Sequence, residues 1–370
     1  MNNPGCPSAA RTEVRSFRTG PKAEAPSPAG DAPHGPGPSR RNLGAFRLGV
    51  CFALCLLLPG TFSAPAQARS SRIIGGERAR ADAWPWAVAI VRAGGTDPRL
   101  SHFCGGALVH PRWVATAAHC ADGDLPEELA VLAGSNRLTD PETAEVAIRR
   151  IVIQPNYRFW SGDDHDIALL ELAEPLFLEQ IAPVPESLAI EGLTGVVVGW
   201  GVTSEDASAT PDELQEVSLP IVANEECNAA FNAYSWSYDD PVTANMVCAG
   251  PMEGGRDACY GDSGGPLMVF HNGAWRLAGI VSWGEGCAEP GLFGVYTRVS
   301  SYLDFLRRWV PIPGDITADG GLGLPDAEAI LQTVAGLRSP GEELPYPGDF
   351  DLDTEVTLKD AVEVLRILVD

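Results

Sequence analysis

An all-β body followed by a small α-helical tail is the fold class this sequence of 370 residues predicts, on three observations. From residue 73 to about 310, short β-branched or aromatic runs (86–91, 107–109, 146–153, 195–198 and 277–282) are broken by Gly and Pro. Many short strands with turn signals indicate a barrel or sandwich. Next, residues 300–310 (SSYLDFLRRWV) place Tyr302, Leu303, Leu306 and Val310 at helical spacing, with arginines near the end, where a helix dipole favours them. Finally, beyond the Pro311-Ile312-Pro313 linker the composition changes, and two similar acidic segments start at Asp315 and Asp349. A repeat of that kind is one structural unit.

The length suits one large domain and one small one. Hydrophobic residues make up 45% of the chain, enough for a sizeable core, and the formal net charge is −23. Residues 1–72 carry nine basic and three acidic side chains, and residues 311–370 carry three basic and thirteen acidic, so the body itself is strongly acidic. Such a body repels nucleic acid and offers no basic patch to an anionic membrane. The acidity serves solubility or favours cationic substrates.

Nine cysteines divide unequally. Cys6, Cys51 and Cys55 precede Arg72, and the remaining six fall within one domain, a pattern of disulfides made in an oxidising compartment. Residues 48–58 (LGVCFALCLLL) are too few to span a bilayer comfortably, and small residues follow, with A-x-A sites ending at Ala66 and at Ala68. We expect a secreted, extracellular protein whose residues 1–72 are signal peptide and pro-segment. Arg40-Arg41 fits an ordinary n-region or twin-arginine export. No later apolar stretch is long enough for a membrane anchor.

The chemistry is carried by Gly261-Asp262-Ser263-Gly264-Gly265-Pro266. A serine hydroxyl is a poor nucleophile at neutral pH until a base takes its proton. Flanking glycines let the chain bend so that the hydroxyl is exposed and the N–H groups of Gly261 and Ser263 form an oxyanion hole. The base candidate is His119, in Thr116-Ala117-Ala118-His119-Cys120 after the apolar Trp113-Val114-Ala115. Asp166 opens Asp166-Ile167-Ala168-Leu169-Leu170, where a charge enters a buried strand. A carboxylate there needs a partner, and orienting the His119 imidazole supplies one.

In order, these strings resemble the trypsin-like serine proteases over residues 73–310. Ile73-Ile74-Gly75-Gly76, Trp84-Pro85-Trp86, Cys104-Gly105-Gly106, Gly199-Trp200-Gly201 and Ser282-Trp283-Gly284 extend the likeness. The resemblance implies two six-stranded antiparallel β-barrels with the active site in their cleft and a C-terminal helix closing the domain. It implies disulfides Cys104–Cys120, Cys227–Cys248 and Cys259–Cys287, and a zymogen cut at Arg72–Ile73, whose freed Ile73 amine pairs with Asp262. Asp257 falls at the floor of the specificity pocket, Ser282 and Trp283 bind substrate, and Gly284 and Gly294 form the pocket walls. An anionic floor behind glycine walls implies cleavage after Arg or Lys. No cofactor is expected for catalysis. Phe293 replaces the proline of trypsin, a feature that accompanies sodium binding in some relatives. Residues 133–145 lack the glutamate pair that holds calcium in trypsin, so no calcium is expected in this domain.

In the tail, Asp315, Thr317 and Asp319 stand at loop positions 1, 3 and 5 with Asp326 at 12, and Asp349, Asp351 and Asp353 repeat this with Asp360 at 12. Alternate oxygen ligands converge on one hard cation and suit Ca²⁺. Each loop leads into an amphipathic helix, through Ala327, Ile330, Leu331 and Val334 in one and Ala361, Val364, Leu365 and Leu368 in the other. The last ligand is Asp rather than the bidentate Glu of an EF-hand. Two such units over residues 314–370 resemble a dockerin, which binds cohesin modules, although Thr354 replaces the usual Gly. The chain is thus expected to be a secreted serine endopeptidase whose protein or peptide substrates carry Arg or Lys. The alternative, a catalytically silent binding protein on the same fold, is marked by loss of Ser, His or Asp, and all three are present.

Overall fold

The computed structural model describes residues 73–157, 163–204, 210–317, 322–339, 348–351 and 354–368. The expected signal and pro-segment, Arg72 included, and the expected ligands Asp319 and Asp353 lie outside the described residues.

The first six-stranded unit is a closed antiparallel barrel in the order β2-β3-β4-β7-β6-β5. Its strands are β2 (Ala87–Arg92), β3 (His102–His110), β4 (Trp113–Thr116), β5 (Leu129–Ala133), β6 (Ala144–Ile153) and β7 (Ala168–Leu172). β2, β4 and β5 are buried almost throughout, which suits their continuous Ala, Val, Leu and Ile content. A barrel also leaves no hydrogen-bonding edge exposed.

The second barrel is built from β8 (Thr194–Gly199), β9 (Gln215–Val222), β10 (Met246–Ala249), β11 (Pro266–His271), β12 (Ala274–Trp283) and β13 (Gly294–Arg298). The order β9-β10-β13-β12-β11-β8 closes because β8 also pairs with β9, and the two-residue β1 (Glu77–Arg78) adds to β9. Ile73 is fully buried in this barrel's core with Val197, Leu219 and Leu267. Trp86 donates from Nε1 to Met268 Sδ across the two barrels at 2.9 Å. Among the described residues, three disulfides join Cys104 to Cys120, Cys227 to Cys248 and Cys259 to Cys287.

Helices are few. α1 (Pro98–Ser101) is one turn capped by Asp97, and α2 (Asn224–Tyr234) carries Cys227. The helix expected over 300–310 is a 3-10 turn at Val299–Tyr302 followed by α3 (Leu303–Trp309). It ends one residue early because Val310 precedes Pro311 and is extended, at φ −89° and ψ 116°.

In the tail, α4 (Leu324–Val334) and α5 (Leu358–Ile367) bury Ala327, Ala329, Ile330, Ala361 and Val364 together with Ile316. Leu331, Val334, Leu365 and Leu368, expected on the same apolar faces, are exposed instead. Two short helices cover each other along a narrow strip only, so the rest of each stripe has no layer above it.

Candidate active site

Residues 118–120 form a 3-10 turn directly after β4, and the Cys120–Cys104 bridge ties that turn to β3. His119 sits on it half-buried. Asp166, fully buried just before β7, accepts from His119 Nδ1 at 2.8 Å through Oδ2 and from the His119 backbone N–H at 2.9 Å through Oδ1. Two further residues hold the carboxylate's position: Ser282 Oγ donates to Oδ2 at 2.6 Å, and Thr297 Oγ1 donates to the Asp166 carbonyl at 2.5 Å. Burial of the ring opposes protonation of His119. The hydrogen bond and charge of Asp166, with the charge of Asp163, outweigh it and hold the pKa above the usual imidazole value.

Ser263 reaches the same place from the other barrel. The N–H of Gly105, in β3, donates to the Ser263 carbonyl at 2.7 Å, and Cys120 Sγ lies 3.6 Å both from that carbonyl and from His119 Nε2. The approach is close enough that a Cβ on Gly264, at φ +79°, would fall 2.2 Å from Thr116 Oγ1. The Ser263 backbone and the His119–Asp166 pair thus meet at Cys120, with the nucleophile candidate partly exposed.

Asp262, beside that serine, is fully buried. Its carboxylate accepts from Gly201 N at 2.8 Å and Cys259 N at 2.9 Å. The two glycines of Gly199-Trp200-Gly201 flank it, and a Cβ on either would come within 2.4 Å of the carboxylate. Burial pushes its pKa up to about 7.

A protein-family model described as Trypsin matches residues 73–306. The chain belongs to the trypsin family. It is 38% identical over 257 residues to a protein named Tryptase from Mus musculus, a match covering 67% of this chain and 91% of that relative. As a trypsin-family member it is a serine endopeptidase acting on protein substrates, and the family's catalysis needs no cofactor. The disulfides among the described residues suit an extracellular protein. Among the described residues no helix is long and apolar enough to cross a membrane.

In this trypsin-family chain Asp257, Gly284, Gly294 and Tyr296 lie together. Asp257 is 8% exposed; its Oδ2 accepts from Ala288 N at 3.0 Å, while its buried Oδ1 has no hydrogen-bond partner. Burial pushes its pKa up to about 6. A Cβ on Gly294 would stand 2.7 Å from Oδ1, and one on Gly284 would point at the Gly294 Cα from 3.9 Å. Ser282 and Trp283 end β12, and Trp283 packs on Phe231 with ring centroids 5.1 Å apart. Sequence reasoning put Ser282 on the substrate side but had no signal for its bond to Asp166. It also missed Thr297 and Asp163.

The tail gathers a second polar group. Carboxylate oxygens of Asp349, Asp351 and Asp360 all lie within 4.8 Å of one another, and Asp351 Oδ1 is buried without a hydrogen-bond partner. In the first repeat Thr317 Oγ1 donates to Asp326 Oδ1 at 2.8 Å and to Asp315 Oδ1 at 3.4 Å. Asp326 and Asp360 also accept the N–H groups of Gly323 and Thr357 at the starts of α4 and α5. Crowded hard oxygens with one left unsatisfied fit a calcium ion. Thr354 adopts φ 80° where a glycine is the easy choice.

Proposed function

We propose that this serine endopeptidase cleaves after Arg or Lys, with Ser263 as nucleophile, His119 as general base and Asp166 as its orienting partner. Ser263 attacks the scissile carbonyl while His119 Nε2 takes its proton. The proton then passes to the leaving amine, and water repeats the sequence to free the enzyme. Asp166, held by Ser282, keeps Nδ1 protonated and steadies the imidazolium. The N–H groups of Gly261 and Ser263 receive the developing oxyanion, where a donor is worth roughly 2.7–4 kcal/mol. The observation that carries the specificity is the unpartnered Oδ1 of Asp257 behind two glycines. A guanidinium or ammonium is the group that satisfies a buried anion at the end of a glycine-walled slot. A P1 scan of fluorogenic peptides tests this reading: Arg and Lys lead if it holds, and Phe or Leu leads if it fails.

The chain is proposed to be made as a zymogen. Ile73 is buried in the second barrel's core, the Ile74 carbonyl accepts from Asp257 N at 3.1 Å, and Asp262 holds a fully buried carboxyl. An α-amine freed at Ile73 supplies the cation that keeps Asp262 ionised, which orders the adjoining oxyanion hole. Arg72→Gln should therefore give a folded, secreted protein that trypsin cannot activate. N-terminal sequencing of wild-type active enzyme should begin at Ile73, and an active chain retaining the pro-segment would contradict the mechanism.

Residues 314–370 are proposed to be a dockerin-like module with one Ca²⁺ per loop, held by Asp315, Thr317, Asp319 and Asp326 and by Asp349, Asp351, Asp353 and Asp360. Its exposed Leu324, Leu331, Leu337, Leu358, Val362 and Ile367 suit docking to a cohesin-bearing partner. Without calcium the aspartates repel one another, so the metal completes the fold. Calorimetry on the full chain carrying Ser263→Ala should show calcium binding that Asp315→Ala with Asp349→Ala abolishes. The same double change in active enzyme should leave cleavage of Arg peptides intact. Absence of calcium uptake by the parent would reduce the tail to a helical hairpin.

A further inference from the structure

A cavity of about 330 Å³ opens where the segment between β7 and β8, the β11–β12 turn and α3 meet, and no residue of the catalytic group lines it. Its size lies at the lower end of the roughly 300–1,000 Å³ of small-molecule sites. The apolar lining is Pro183, Val184, Leu303 and Leu306. Pro183 and Val184 are pinned beside β12, because Val184 N donates to the Leu277 carbonyl at 3.0 Å and Leu277 N to the Ala182 carbonyl at 2.9 Å. Leu303 and Leu306 are buried with the first barrel's core, and Val184 with the second's. The cavity is thus made of fixed parts at the junction of two cores, and a preformed site needs little ordering to bind.

In a chain of net charge −23, none of the nine lining residues is acidic. Arg276, in β12, is half-buried, and among the described residues its guanidinium has no hydrogen bond, ion pair or aromatic contact. The other half-buried arginines described are all engaged. Arg112 donates to the Ala173 carbonyl, Arg256 to the Ser218 carbonyl and Arg298 to Glu191 Oε1, each at 2.8 Å. The half-buried His271 ring also lacks a partner among the described residues, and Arg307 brings a second guanidinium, 3.3 Å from the exposed Asp304. A guanidinium drawn partly out of water with nothing to bond is unfavourable until an anion meets it. We infer that this cavity binds a small monocarboxylate with an apolar body, the carboxylate on Arg276 and the body against the prolines and leucines. The planar fork of arginine bonds a carboxylate bidentately. A polyanion fits poorly, since its further charges would shed water against apolar walls.

Octanoate probes an aliphatic body and 3-phenylpropanoate an aromatic one, each titrated calorimetrically into full-length enzyme. The better of the two should bind with a dissociation constant on the order of 0.1–1 mM. It should also raise the unfolding temperature, as a ligand of the native state does. The matching alcohol, which lacks the charge, should bind about tenfold more weakly, and high salt should weaken the carboxylate. Arg276→Gln should weaken binding about tenfold, with Arg276→Lys recovering part of the loss. Neither variant should change the unfolding temperature of the ligand-free protein, because Arg276 has no partner in the fold to lose. Benzamidine, a cation suited to the Asp257 slot, should not compete. Absence of binding by both carboxylates, equal binding of the alcohol, competition by benzamidine, or undiminished binding to Arg276→Gln overturns the proposal.

Discussion

Ser263→Ala is expected to lower kcat on the order of 10⁶-fold while leaving the protein folded. The loss is that large because the parts act as a unit. Removing the hydroxyl leaves His119 with no proton to accept, so the Asp166–His119 pair at 2.8 Å contributes nothing further. What survives is the oxyanion hole and substrate binding, which give a residual acceleration on the order of 10³-fold over water. The fold is indifferent to the change, because the contact that fixes this segment is made by the Ser263 carbonyl, accepting from Gly105 N, and not by its side chain. Titration with a covalent serine-directed inhibitor, alongside turnover of an Arg peptide, separates the two effects. Unchanged thermal unfolding with no labelling and no turnover is the expected result. Appreciable hydrolysis by the pure variant would place the nucleophile elsewhere.

The parts legible in the sequence are those where chemistry restricts residue type. A nucleophilic serine, its base and a charged residue entering a buried strand leave traces within strings of a few residues, and so do alternate aspartates in a calcium loop. Family resemblance extended this to the two-barrel architecture, which strand-like runs alone left open between barrel and sandwich. What could not be read depends on contacts between distant segments. Ser282 lies 116 residues from Asp166 and carries no local mark of the bond it makes. The glycines of Gly199-Trp200-Gly201 were a motif without a reason until Asp262 was seen wedged against them. In the tail, periodicity located the helices but not their packing, since a stripe of Leu and Val does not say how much of it a single neighbour covers.

Asp257→Ser carries the other large effect. The wild-type enzyme should prefer Arg or Lys to Phe or Leu at P1 by several orders of magnitude, and the variant should lose that preference. Removing one partner of a buried ion pair costs about 3–5 kcal/mol. Each ~1.4 kcal/mol is a factor of ten, so kcat/KM for Arg peptides should fall by roughly 10² to 10⁴. The free enzyme already registers part of this energy. Burial pushes the Asp257 pKa up to about 6, above the usual carboxylate value, against the hydrogen bond from Ala288 N, and Oδ1 lacks a partner. A bound guanidinium reverses that effect by supplying both charge and donors. The slot stays open in the variant, since Gly284 and Gly294 are untouched and serine is smaller than aspartate. Peptides with uncharged P1 residues should therefore be cut no more slowly than before, which separates loss of recognition from loss of catalysis. A P1 profile of the wild type that already favours Phe or Leu would show that Asp257 does not face the substrate.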